Sequence, residues 1–151
     1  MRLKLWKLLK HTLQVLWVSF LKDTFIKKGI KTLDPADWAY RGVYDNSNDS
    51  DDSMIAHGFN YHQGPEWLWI YGFFLRAYFS FGKRGSPEQG RLTVHTIQRW
   101  LQKHKLHIQE ASFAGLPELT NKDGQTCHGS CPTQAWSSSV MIERLDDLKQ
   151  G

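Results

Sequence analysis

The sequence predicts an all-α fold, and three observations predict it. Apolar residues recur at helical spacing in four stretches of the chain. No alternating run is long enough to force a sheet. The 151 residues, 40% hydrophobic and 23% charged, are enough for one core and too few for two comfortable ones. With a mean hydropathy of -0.50, this composition excludes a polytopic membrane protein, a collagen and a low-complexity chain. The unusual count is aromatic: seven Trp, five Tyr and eight Phe, more rings than a small core needs, so some are expected to face a ligand.

The first stretch, residues 1–30, reads as a basic amphipathic helix. Leu5, Leu9, Leu13, Leu16 or Trp17, and Phe20 form its apolar stripe, and Arg2, Lys4, Lys7 and Lys10 supply charge. Residues 1–31 carry eight Lys/Arg against the single acid Asp23, whereas the remainder carries eleven against fourteen acids, so the basic balance belongs to this arm. Elsewhere the cations are scattered singly with no phosphate-tracking stripe, and no nucleic-acid partner is expected. Residues 12–21 are uncharged, but ten residues cannot cross a bilayer, which needs about 20. Lys22, Asp23 and Thr24 follow instead of a small-residue cleavage site. A membrane-surface helix seated by Trp6 and Trp17 is the sharper reading, and packing against the rest of the chain the favoured one.

Residues 32–60 read as a long loop rich in Asp, Asn, Ser and Gly. The acidic run at 45–53 lacks the central Gly and closing Glu of a calcium loop. Pro65 and Glu66 then predict a helix start, with Glu66 complementing the helix dipole as the favoured reading over binding a sugar hydroxyl, and the helix runs to about Phe81 before Gly82 and Gly85. Ser86-Pro87-Glu88-Gln89 predicts the next start, with Ser86 as cap, ahead of the stripe Leu92, Thr96, Ile97, Trp100 and Leu101. The last helix is expected from near Pro132, carrying Ala135, Trp136, Val140, Leu145 and Leu148. Two long loops, 32–64 and 104–131, would face helix starts. Cys127-His-Gly-Ser-Cys131 lacks the further ligands of a zinc site, so the two cysteines are expected as free thiols, with no metal and no cofactor. So few cysteines also exclude a disulfide-dense secreted scaffold and fit a reducing, cytoplasmic setting.

Both loops are dense in groups that bind sugars. One delivers Tyr61, His62, Gln63, Trp67 and Trp69; the other delivers Glu118, Asn121 and Asp123, followed by Gln134 and Trp136. Flat aromatic faces match the apolar faces of pyranose rings, while amides, carboxylates and imidazole match the hydroxyls.

Two blocks go further. The first is Gly58-Phe-Asn-Tyr-His-Gln-Gly-Pro-Glu-Trp-Leu-Trp69 with Gly72-Phe-Phe-Leu-Arg-Ala77, preceded by Lys31-Thr-Leu-Asp-Pro35 and Tyr44-Asp-Asn46. The second is Gly115-Leu-Pro-Glu-Leu-Thr-Asn121, leading to Pro132-Thr-Gln-Ala-Trp-Ser137. In this order they resemble the C-terminal, amylo-α-1,6-glucosidase region of the eukaryotic glycogen debranching enzyme family. The likeness covers about residues 28–148, leaving 1–30 unmatched and 31–151 as the family region. One departure is Ile70, where family members often carry Pro after Trp-Leu-Trp.

The resemblance implies a cytoplasmic enzyme of glycogen catabolism acting on glycogen or limit dextrin, in a family that also carries 4-α-glucanotransferase activity. It implies the C-terminal portion of an (α/α)6 barrel, incomplete as given. It also implies inverting hydrolysis by two separated carboxyl groups. Glu118 matches the general base, and Tyr61, His62, Gln63, Trp67, Gln134 and Trp136 fall in the substrate-binding blocks. The family's general acid is an Asp upstream that nothing here matches, and neither Glu66 nor the Asp run at 45–52 is assigned to that role. An isolated chain is therefore expected to be inactive, with helix faces left to self-associate. The alternative is a non-catalytic glycogen-binding or interaction module.

Overall fold

In the computed structural model the described residues are 28–150, so the basic helix expected over 1–30 lies almost wholly outside them. The chain is mostly helical. Helix α1 spans Leu68–Gly82, α2 spans Pro87–Glu110 and α3 spans Ala135–Gln150.

The all-α expectation needs one correction. Strands β1 (Ile30–Lys31), β2 (Glu66–Trp67) and β3 (Leu119–Thr120) form a three-stranded antiparallel sheet in the order β1-β2-β3. Glu66 pairs with Lys31 on one side and Thr120 on the other. Two-residue strands are too short to print an alternating pattern, so periodicity could not reveal them. The sheet also displaces the expected helix start. Glu66 and Trp67 are extended, and α1 begins at Leu68 with Trp67 as its N-cap at φ -90° and ψ 132°, without a side-chain cap bond. Proline's fixed φ suits an extended entry as well as a helical one, and here strand pairing decides. Glu66 therefore does not complement the dipole; it is sealed inside the sheet.

Helix α2 starts where the sequence placed it, with the Ser86 Oγ accepting from the Gln89 N–H at 3.2 Å. It runs on to Glu110, so residues 104–110 are helix and the second loop is shorter than expected. Its buried positions are Thr93, Ile97 and His104, while Leu92 is exposed. Thr93 can be buried because its hydroxyl donates to the Gln89 carbonyl at 2.7 Å. Helix α3 begins at Ala135 rather than near Pro132, and it buries Ser137, Val140, Met141 and Arg144 while Leu145 points out. Arg144 holds a core position because its guanidinium lies 4.4 Å from the Phe79 ring centroid and 2.8 Å from Asp147, which in turn lies 3.0 Å from Arg76.

The core is built on α1. Leu68, Tyr71, Phe74, Leu75 and Phe79 pack with Ile97 of α2, Met141 of α3, Leu116 and Ile30. Gly72 lets α3 approach: a Cβ there would fall 2.6 Å from that of Val140. His104 is buried beside Tyr71, with ring centroids 5.0 Å apart, and its Nε2 bonds to the Lys28 carbonyl. Burial holds its pKa below the ordinary histidine value. Among the described residues no helix is long and apolar enough to cross a membrane. Exposed apolar side chains include Phe73 and Phe81 on α1 and Ile142 and Leu145 on α3.

Candidate functional site

The segment following α2 turns back through Leu116 and Pro117 to β3, and this return carries Glu118. Three backbone bonds fix it. The Glu118 carbonyl accepts from Leu68 at 3.2 Å, its N–H donates to the Cys131 carbonyl at 3.0 Å, and the Gln134 N–H donates to the Leu116 carbonyl at 2.8 Å. The segment is thereby tied to the first residue of α1 and to the residues leading into α3. Sequence positions more than fifty apart meet at one point.

The half-buried Glu118 carboxylate accepts from the Gln134 side-chain amide at 2.9 Å. It also takes the Tyr61 phenol as a hydrogen-bond donor, and that bond, after burial, pushes the Tyr61 pKa well above its ordinary value. Tyr44 is raised as well, by burial first and then by Cys127 and Glu118. Tyr61 lies 5.0 Å from the Tyr44 ring and 4.7 Å, edge-on, from Trp67. His62 is exposed, stacks on Trp67 at 5.0 Å and 22°, and meets the Tyr61 ring edge-on at 4.7 Å, so the three rings are mutually in contact.

Trp67 is itself buried, its indole N–H donating to the Tyr61 carbonyl at 3.1 Å, so it backs Tyr61 and His62 from beneath. Under it lie Leu119 and the thiol Cys127. Trp136 is 49% exposed and stacks on Trp69 at 4.3 Å and 14°. Because Trp69 covers one face, the opposite face of Trp136 is the open one. Gln63 is half-buried and held by its backbone, its carbonyl accepting from Arg41 at 2.6 Å. Both cysteines are free thiols.

The structure thus brings Glu118, Gln134 and Tyr61 into contact, with Trp67 and His62 next to them, and places Trp136 on its own stacked platform. Asn60, Asn121 and Tyr44 stand in the sequence blocks without an assigned structural role, and the structure makes them supports of the site. Buried Asn60 donates from Nδ2 to the carbonyls of Arg41 at 2.9 Å and Val43 at 2.6 Å, folding the first loop back on itself. The Asn121 amide oxygen accepts from the Tyr44 N–H at 2.9 Å, joining the first loop to the second. Tyr44 lies against Gly58, where φ is +74° and a Cβ would come 2.5 Å from the ring. Gly58 stands in the first sequence block, and its need for a positive φ was the signal that could have pointed to Tyr44.

Two carboxylates near the site are poor proton donors. Asp45 is exposed and accepts from both the Oγ and the N–H of Ser47, which hold its carboxyl below the usual range. Glu66 is raised by burial, the right direction for an acid, but it is fully enclosed. A cavity of about 330 Å³ lies among Phe113, Pro117, Leu119, Cys127 and Thr133. Neither Glu118 nor Gln134 lines it, so the site is defined by side-chain chemistry and not by that cavity. Among the described residues no group of His, Cys, Asp and Glu is gathered to hold a metal ion.

A mostly helical domain thus presents a carboxylate held by an amide and a phenol beside aromatic faces. The family model described as amylo-alpha-1,6-glucosidase matches residues 7–143, and the chain belongs to that family. It is 45% identical over 128 residues to the glycogen debranching enzyme of Saccharomyces cerevisiae, an alignment covering 80% of this chain and 8% of that relative. The chain therefore spans less than a tenth of the relative's length.

Proposed function

We propose that this chain supplies the Glu118 side of an α-1,6-glucosidase site that removes single glucose branches from glycogen or limit dextrin by inversion. The observation that carries the reading is the Glu118 carboxylate, held by the Gln134 amide and the Tyr61 phenol beside aromatic faces. Gln134 and Tyr61 donate to the carboxylate and aim it, leaving lone pairs to take a proton from a water attacking the anomeric carbon. The exposed face of Trp136 and the imidazole of His62 receive sugar faces and hydroxyls, with Gln63 at the first loop's edge and Trp67 supporting from below.

In this reading the helices form the C-terminal portion of an (α/α)6 barrel in a cytoplasmic debranching enzyme. The general acid comes from elsewhere, since Asp45 is lowered and Glu66 is enclosed. Without an acid, an α-1,6-glucoside keeps its poor leaving group, and the isolated chain does not turn over limit dextrin.

That division of labour has a direct test. Fluoride needs no protonation to leave, so α-glucosyl fluoride requires only the base and its water. The chain is expected to release fluoride and β-glucose from it, and Glu118→Gln to abolish that release. Retention on immobilised glycogen with no fluoride released would overturn the catalytic reading in favour of a non-catalytic glycogen-binding module.

A further inference from the structure

We propose that Glu66 is a positioning residue that pins the register of β3 and so decides which face of the segment carries the Glu118 carboxylate. The inference rests on the reading of Glu118 as the working carboxylate.

A fully buried carboxylate is an expensive thing to keep, and apolar side chains fill most interior positions beside it. Its two oxygens are used on two different parts of the same segment. Oε2 accepts from the Thr120 hydroxyl at 3.2 Å, and Oε1 accepts from the Asp123 backbone N–H at 2.9 Å. The first partner lies in β3, two residues after Glu118. The second lies in the 3-10 turn Lys122–Gly124 that ends the strand, where Asp123 itself has φ +63°. One side chain thus grips the strand and the turn that closes it.

The sheet gives this grip its importance. Each strand is two residues long, so the ladder between β2 and β3 holds only the pairs Glu66↔Thr120 and Trp67↔Leu119, continued by the single Leu68 N–H bond to the Glu118 carbonyl. So short a ladder specifies register weakly, and a slip of one residue turns every side chain to the opposite face. After such a slip Glu118 would leave Tyr61 and Gln134 and point to the opposite face of the segment, that of Pro117 and Leu119. Thr120 and Asp123 are bonded in a fixed spacing that only one register satisfies.

The test reads the Gln134 side chain, whose amide donates to Glu118 and therefore reports where that carboxylate is. In the ¹⁵N-labelled full chain, the bonded Gln134 amide proton is expected at a displaced position. In Glu66→Gln it should move to the position of a free primary amide, because an amide cannot accept from both partners. Thr120→Val should lose the signal likewise, and Thr120→Ser, which keeps the hydroxyl, should restore it. The Gly72 backbone signal, between α1 and α3, should stay in place throughout and marks an intact core.

If Glu66→Gln loses its dispersed spectrum altogether, the Thr120 pair decides. A Gln134 signal unchanged in Thr120→Val overturns the proposal, even if the melting temperature falls, because that is what a purely stabilising residue would show. Loss of the signal in the variants, with no fluoride release by the unaltered chain, would keep Glu66 as the pin while retiring the catalytic reading.

Discussion

The two halves of the molecule are held together by different physics. Around α1 the contacts are apolar and close: Leu75, Leu68 and Ile97 are fully enclosed, and Gly72 admits Val140 at van der Waals distance. Around Glu118 the chain has little regular structure, and the side chains of Asn60, Asn121, Glu66 and Gln134 tie loop to loop. The first region tolerates small adjustments in direction but not missing volume. The second has only the smaller apolar cluster of Trp67, Leu119 and Cys127 and depends on donors meeting acceptors. The second kind of support sets the direction of side chains such as Glu118, because hydrogen bonds fix orientation where dispersion fixes only density.

Substitutions can break this contrast one half at a time. Leu75→Ala empties a fully enclosed position and should lower stability by about 2–5 kcal/mol. Chemical denaturation would show the whole domain melting earlier in one transition. Asn60→Ala leaves the Arg41 and Val43 carbonyls without their donor and should lower stability by about 1–3 kcal/mol. Here hydrogen exchange should rise in the 41–61 loop before the α1 amides are affected. Equal acceleration in both would mean the two halves are not separable. Ser86→Ala removes the α2 cap and should lower stability by about 1 kcal/mol, with fraying seen at Gln89 and the site untouched.

Acid supplies the mildest test. His104 has its pKa lowered in the folded state, so the unfolded chain binds more protons as pH falls below about 6.5, and stability drops with it. Glu66 has the opposite sign: its pKa is raised, so its contribution falls as pH rises above the ordinary glutamate range. Below about pH 6.5 the His104 contribution lowers the melting temperature, while that of Glu66, with the opposite sign, offsets part of the decline. In His104→Gln that decline should flatten; an unchanged slope would mean another group carries it.

The parts of the fold that announce themselves do so locally. Ser86-Pro87 and the following acid mark the start of α2 because a cap is satisfied within three residues. The start of α1 misled, because Pro65-Glu66 obeys the same local rule while a partner strand more than fifty positions away takes the backbone. Burial in α3 misled for a similar reason: Arg144 outcompetes Leu145 for the interior only because Phe79 and Asp147 are there to receive it. The residues of the candidate site stand in two sequence blocks, and their types pointed to sugars. That Gln134 and Tyr61 meet on Glu118, or that Trp67 lies beneath and not beside, depends on tertiary closure that composition does not encode.

The Trp69 and Trp136 stack has an optical consequence. Two stacked indoles 4.3 Å apart couple electronically, so the absorption and emission of this pair should differ from those of two separate rings. One ring sits on α1 and the other on α3, and the second is half exposed. The molecule thus carries its own dye pair, able to report the seating of α3 against α1 without any added label.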